Sequence, residues 1–295
     1  MFSLQPPRNG LAAAPSGSQP QETIQGLQSS SSPSTAEQAP NRVVVSPEQQ
    51  AWDILQAGAH AEKKQDRAAA VHAMGLIPND ARARRIAEGG LKDDAPEVRA
   101  AAAAALGDMR SRRSISKLKA VTDDQDPAVA LAAAHSLLQL NVDAGYAVFY
   151  EILTGERQTG KGLLAEAAAY KDPKKLAEIG FEEGLGFIPY AGIGWQAFRT
   201  VKKKDASPAR AAAAAILAKD HAPETTKALV NAAGDKNWIV RAAALEALAK
   251  RGDPSVLDSV ELYLLDQEGE VKYTAAAATI RLITLKESRA QKKPK

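Results

Sequence analysis

The stretch Asp94-Ala95-Pro96-Glu97-Val98-Arg99-Ala100-Ala101-Ala102-Ala103-Ala104-Ala105-Leu106-Gly107 decides the fold. Proline marks a helix start, because a first-turn residue has an N–H that would find no intrahelical partner anyway. Apolar residues one before the arginine and three, six and seven after it make a helical stripe, whereas a strand would need strict alternation. The phrase of a basic residue, an alanine run and a large aliphatic seven residues on recurs at Arg67 to Met74, Arg210 to Leu217 and Arg241 to Leu248. Weaker copies start at Ala130, Lys161 and Lys272, so the anchors are spaced by 32, 31, 31, 49, 31 and 31 residues.

Each anchor lies in the second helix of a unit whose first helix precedes it, as in Pro223 to Ala233 or Asp143 to Leu153. Asp126-Pro127, Ser207-Pro208 and Asp253-Pro254 each set an N-cap oxygen ahead of a first-turn proline. Ser46-Pro47 with Gln49 reads as a capping box that opens the first helix, running from Pro47 toward Ala59. Alternating helices at this period predict an all-α protein, an α-solenoid of about seven helical hairpins. Each unit leaves an apolar face that only the next can cover.

These residues carry a family resemblance. Asp94 to Gly107 and Asp235 to Leu248 resemble HEAT repeats, specifically the short HEAT-like repeats also found in phycobilisome bilin lyases, over about residues 47 to 286. The resemblance implies a ladder in which Arg99, Arg210 and Arg241 pair with aspartates of neighbouring turns. Asp94, Asp126, Asp205, Asp235 and Asp266 are placed for this, and Ala130 lacks the basic partner.

Sixty alanines against 14 aromatics in 295 residues fit closely approaching helices. A net charge of +3 is too small to imply a polyanion partner by itself, and the absence of cysteine removes disulfides, thiolate zinc sites and cysteine nucleophiles together. No apolar run approaches the roughly 18 to 20 residues of a membrane-spanning helix. Residues 1–46 hold nine serines, six prolines and six glutamines, the composition of a disordered tail. No export signal is visible, so the reading is cytoplasmic by default and envelope or periplasm if the true start lies upstream. The expected layout is a tail over 1–46, repeats 1–4 over 47–172, an insertion leading into repeat 5 over 173–204, the remaining repeats over 205–286 and a basic tail over 287–295.

The 49-residue interval contains Gly184-Leu185-Gly186-Phe187-Ile188-Pro189-Tyr190-Ala191-Gly192-Ile193-Gly194-Trp195, four glycines and a proline among large apolar side chains. Three readings are open: a plug between units four and five, a partner contact through Phe187, Ile188, Tyr190 and Trp195, or a membrane contact. His72 and His135 share a repeat position but not metal-ligand spacing, and no motif points to a catalytic, cofactor or metal site. Basic clusters occur at Arg82, Arg84 and Arg85, at Arg110 to Lys119, at Lys202 to Lys204 and from Lys286 onward. The expected function is a non-enzymatic scaffold that binds a protein or peptide in a solenoid groove. A bilin-lyase-like enzyme or cofactor chaperone and a nucleic-acid-binding solenoid are the alternatives that the resemblance allows.

Overall fold

The computed structural model describes residues 45–154 and 206–292, all within the larger of two compact parts, Val44–Lys295. Among the described residues every regular element is helical. Unit 1 is α1 (Pro47–Ala59) and α2 (Lys64–Ala73); unit 2 is α3 (Ala81–Gly90) and α4 (Pro96–Asp108); unit 3 is α5 (Ile115–Val121) and α6 (Pro127–Gln139); α7 (Ala144–Thr154) opens unit 4. Further on come α8 (Ser207–Leu217) of unit 5, α9 (Pro223–Ala233) and α10 (Trp238–Arg251) of unit 6, and α11 (Leu257–Glu261) and α12 (Gly269–Lys292) of unit 7. The HEAT-like all-α solenoid expected from the repeat is therefore the fold. α12 runs as far as Lys292, and Arg289 near its end donates to the carbonyl of Gly252 at 2.9 Å.

The helix starts follow local chemistry. Ser46 Oγ accepts from the N–H of Gln49, while the Gln49 amide turns to Asp53 rather than back to Ser46, so half of the capping box forms. Asp126 caps α6, and Asp253 caps the short 3₁₀ turn before α11. Ser207 does not act as an N-cap: α8 begins at Ser207 itself, which leaves Ala206, without a side-chain oxygen, at the cap position.

Second helices stand side by side, α2 against α4, α4 against α6 and α8 against α10. In units 1, 2, 3 and 6 the aliphatic seven residues after the anchor fills the space between units, and Met74, Leu106, Leu137 and Leu248 are all fully buried there, whereas Leu217 of unit 5 is exposed. Each such side chain contributes about 1.5–3 kcal/mol by leaving water. Alanines at the flanking positions let the backbones close up. Where α4 meets α6, even a methyl on Gly107 would lie 2.5 Å from Ser136 Oγ, which itself donates to the carbonyl of Ala103.

An arginine then ties unit 1 to unit 2, unit 2 to unit 3, unit 5 to unit 6 and unit 6 to unit 7. Arg67 grips Asp93, Arg99 grips Asp124 and Arg241 grips Asp266, each through Nε and Nη2 at 2.8–2.9 Å. In every case Nη1 also donates to the two carbonyls six and five residues before the arginine, Asp93 and Asp94 in the case of Arg99. The aspartate in turn accepts from the N–H two residues on, as Asp124 does from Asp126. The guanidinium of Arg99 holds the Asp124 carboxyl below the usual carboxylate range. Arg210 bonds Asp235 with one nitrogen only, and half of its side chain is exposed.

The joint between the last and first units is built differently. α12 packs against both α1 and α2, so the units run 5, 6, 7, 1, 2, 3 in space, with α7 beyond α6. No rung crosses this joint, because Lys272 stands at the anchor position and Ala61 where units 2, 3, 6 and 7 have the aspartate. Close approach replaces it. A methyl on Gly58 would fall 2.4 Å from the Tyr273 ring, and one on Gly269 would fall 2.6 Å from Asp66 Oδ1. The Tyr273 hydroxyl donates to Asp66 Oδ1 at 3.3 Å, and burial together with that carboxylate pushes it up to about 12. Arg281 donates to the carbonyl of Leu76, which fastens the far end of the joint.

The rungs set a stability expectation. Arg99→Ala removes four hydrogen bonds and leaves Asp124 without its cation in a site where 13% of the side chain is exposed. Denaturant melts should show a loss on the order of 2 kcal/mol, with a smaller loss for Arg210→Ala. Equal losses for the two variants would contradict this reading of the rungs.

Candidate functional site

Three consecutive second helices leave one face uncovered. Residues one, two and five after the anchor remain half-exposed: Ala68, Ala69 and His72 on α2, Ala100, Ala101 and Ala104 on α4, Leu131, Ala132 and His135 on α6. On a helical wheel these positions lie opposite the buried stripe, so they form a strip across units 1 to 3. The equivalent residues of units 6 and 7, Ala242, Ala243, Glu246, Tyr273, Thr274 and Ala277, are buried. Small side chains make the strip shallow and bring a ligand close to the helix backbones. His72 and His135 stand at its two sides with α4 between them. Among the described residues no three His, Cys, Asp or Glu side chains gather closely enough to hold a metal ion.

The first helices present a different chemistry. Glu88 on α3 is 8% exposed, and its carboxylate accepts from Arg84 on the same helix and from Ser114 and Lys117 of unit 3. Burial pushes the Glu88 carboxyl up, yet the bonds from Lys117, Ser114 and Arg84 outweigh it and bring it down to about 2. One buried acid thus pins α3 to α5. Beside it Arg82 lies over the ring of Trp52, 4.5 Å from its centroid, and donates to Gln56 Oε1 at 2.7 Å, which joins α3 to α1.

The residues singled out from the sequence fall in three places. Arg99, Arg210 and Arg241 all lie in rungs, with Asp124, Asp235 and Asp266 as acceptors. Asp94 accepts through its backbone carbonyl only, and Asp93 takes the guanidinium of Arg67 instead; likewise Asp126 caps α6 while Asp124 forms the rung. The acceptor must sit six residues before the anchor of its own unit, where its carboxylate can also take the N–H two residues on. Asp205, Phe187, Ile188, Tyr190 and Trp195 lie outside the described residues, as do residues 1–44 of the tail expected over 1–46. Sequence reasoning missed the Glu88 cluster, whose only signal was an acid at four-residue spacing from Arg84.

The repeat geometry is matched at family level. Residues 52–138 and 200–280, more than half of the chain, match the profile of HEAT repeats. The chain belongs to the HEAT-repeat family. Among solved structures the HEAT-repeat chain is similar to human deoxyhypusine hydroxylase in complex with glycerol, at 19% identity over 80% of this chain and 85% of that one, with a TM-score of 0.30. It is also similar to the complex of CpcE and CpcF of phycocyanin lyase from Nostoc sp., at 20% identity over 88% of this chain and 99% of that one, with a TM-score of 0.32. At these values the likeness says nothing of activity. No curated protein matches the chain. Among the described residues no helix is long and apolar enough to cross a membrane.

Glu88 gives this family member a measurable acid sensitivity. Its folded-state carboxyl lies at about 2 against an ordinary value of 4.5, so its contribution is fully present above the ordinary value and is lost as pH falls toward 2. Urea melts between pH 5 and pH 2 should show a steeper loss of stability for the wild type than for Glu88→Gln. Parallel curves would mean that the cluster does not hold α3 to α5 through its charge.

Proposed function

We propose that the chain is a protein-binding scaffold whose binding face is the open strip on the second helices of units 1 to 3. The observation that supports this is the contrast within one repeat position. The same three residues are half-exposed on α2, α4 and α6 and buried on α10 and α12, so the surface is open along a run of three helices. A ligand laid across α2, α4 and α6 meets small side chains at each step, and affinity comes from extended area rather than from one deep pocket. Phe187, Ile188, Tyr190 and Trp195 are proposed to add apolar anchors to the same partner, on the strength of their composition alone.

The test is capture of a partner from the native cell by tagged protein, compared with Ala101→Lys combined with Ala104→Glu. These changes place two long side chains on the middle of the strip and leave the net charge unchanged. They should shift stability by only about half a kcal/mol and abolish capture. Phe187→Ser, Ile188→Ser and Tyr190→Ser together should weaken capture at an unchanged melting temperature. Undiminished capture by the α4 variant overturns the strip as the binding face, and a large fall in melting temperature in the triple serine variant makes those residues core instead.

A further inference from the structure

Charge on the first helices is segregated. α3 and the segment Arg112–Val121, which comprises a 3₁₀ turn and α5, carry seven cations and one carboxylate, Glu88, a net +6 in a chain whose total is +3. The first helices elsewhere are acidic or neutral: α1 has Glu48 and Asp53, α9 has Glu224 and Lys227, and unit 7 has Asp258 and Glu261. Glu88 already occupies Arg84 and Lys117. Arg85, Arg112, Arg113 and Lys119 are exposed and have no acid partner among the described residues. Like charges on adjacent helices cost stability and are not needed for packing, since Leu118 and Ala87 supply the buried contacts.

A cleft of about 500 Å³ opens at the edge of this face, between α1 and α3. Val71, Ile86 and Val98 contribute apolar surface to its wall, Arg82, Arg85 and Gln56 supply polar groups, and the one carboxylate of the lining, Asp93, is already paired with Arg67. Arg82 is fixed in place by Trp52 and Gln56, so its charge is presented without further ordering. Gly89 leaves the wall open, since a methyl there would meet nothing within 4 Å. His60 donates from Nδ1 to the carbonyl of Gln56, because a carbonyl only accepts, which leaves Nε2 for a ligand.

We propose that the first helices of units 2 and 3 form a docking surface for an acidic polypeptide segment. A carboxylate of that segment pairs with Arg82 and Arg85, a neighbouring apolar side chain enters the cleft, and further acids run toward Arg112, Arg113 and Lys119. Guanidinium groups suit this task, since they bind carboxylates in fork geometry. A polypeptide fits better than a nucleic acid. The cationic area is two helices wide and bordered by the acidic α1, whereas a duplex presents a charge every ~1.7 Å along its axis and needs an unbroken basic track. The surface lies on the opposite layer from the strip, and the inference rests on the scaffold reading only in that the partner is a protein.

The experiment uses the full chain and a fluorescein-labelled peptide of four Glu-Glu-Leu repeats, read by anisotropy at several salt concentrations. Saturable binding is expected, weakening as salt rises. Arg85→Glu with Arg112→Glu and Arg113→Glu should weaken it at least about tenfold at an unchanged melting temperature, and the milder Arg85→Ala about threefold. Lys219→Glu with Lys227→Glu and Lys236→Glu, an equal charge change on exposed positions of units 5 and 6, should leave binding within about twofold. Equal losses in the two triple variants, absence of saturable binding, or tighter binding of a 20-nucleotide dT strand would each overturn the proposal. The α4 strip variant should bind this peptide like the wild type. If the cationic-face variant still captures the cellular partner and the strip variant does not, the scaffold stands and this surface falls.

Discussion

A guanidinium that bonds two carbonyls of its own turn and a carboxylate of the next fixes how one unit sits on another. Arg67, Arg99 and Arg241 all satisfy this geometry, each donating to carbonyls of the turn just ahead of its helix. Alanine-rich helices slide easily, because methyl groups interdigitate weakly and offer little registry of their own. The rungs supply that registry. With the turns of units 1 to 3 tied in succession, Met74, Leu106 and Leu137 meet the same space in each unit, and the second helices stay parallel enough to leave a continuous strip on α2, α4 and α6.

The joint of α12 with α1 and α2 gives this array its particular order. Glycines 58 and 269, the Tyr273 hydroxyl on Asp66 and the Arg281 bond to Leu76 do there what a rung does elsewhere. Unit 1 is consequently interior rather than terminal, and its second helix is flanked on both sides. The two candidate surfaces follow from this layering, small residues on the second helices and cations on the first helices of units 2 and 3, with Glu88 holding the cationic layer together from within. The cost of gathering those cations is offset locally by one acid, which leaves the remainder free to meet a partner.

Much of the fold was legible because a 31-residue period repeats the same local instructions: proline starts, an anchor arginine and a helical stripe. The boundaries of α1 at Pro47 and Ala59, and of α9 at Pro223 and Ala233, follow directly from them. The rung acceptors were legible where a turn holds a single acid, as at Asp235 and Asp266. They were not where acids crowd, as in Asp93-Asp94 or Asp123-Asp124-Gln125-Asp126, because only turn geometry separates the residue that caps from the residue that bridges. The joint between the first and last units was hidden altogether, since Lys272 and Ala61 erase the rung signature and the contacting residues Asp66 and Tyr273 lie 207 apart in sequence. The strip on the second helices could be read as a periodic surface, but its restriction to units 1 to 3 depends on tertiary burial.

That joint sets the order of the units, and the absence of cysteine makes it directly measurable. Glu62→Cys and Glu268→Cys place unique thiols on exposed turns that precede α2 and α12. Helices packed at roughly 8–10 Å bring these turns within reach of a bis-maleimide spanning about 10–15 Å. Treatment at low protein concentration should give rapid cross-linking within one chain, seen as a faster-migrating band with the mass of a single copy. Failure to cross-link, or products that are only dimers, would show that the last unit does not pack on the first.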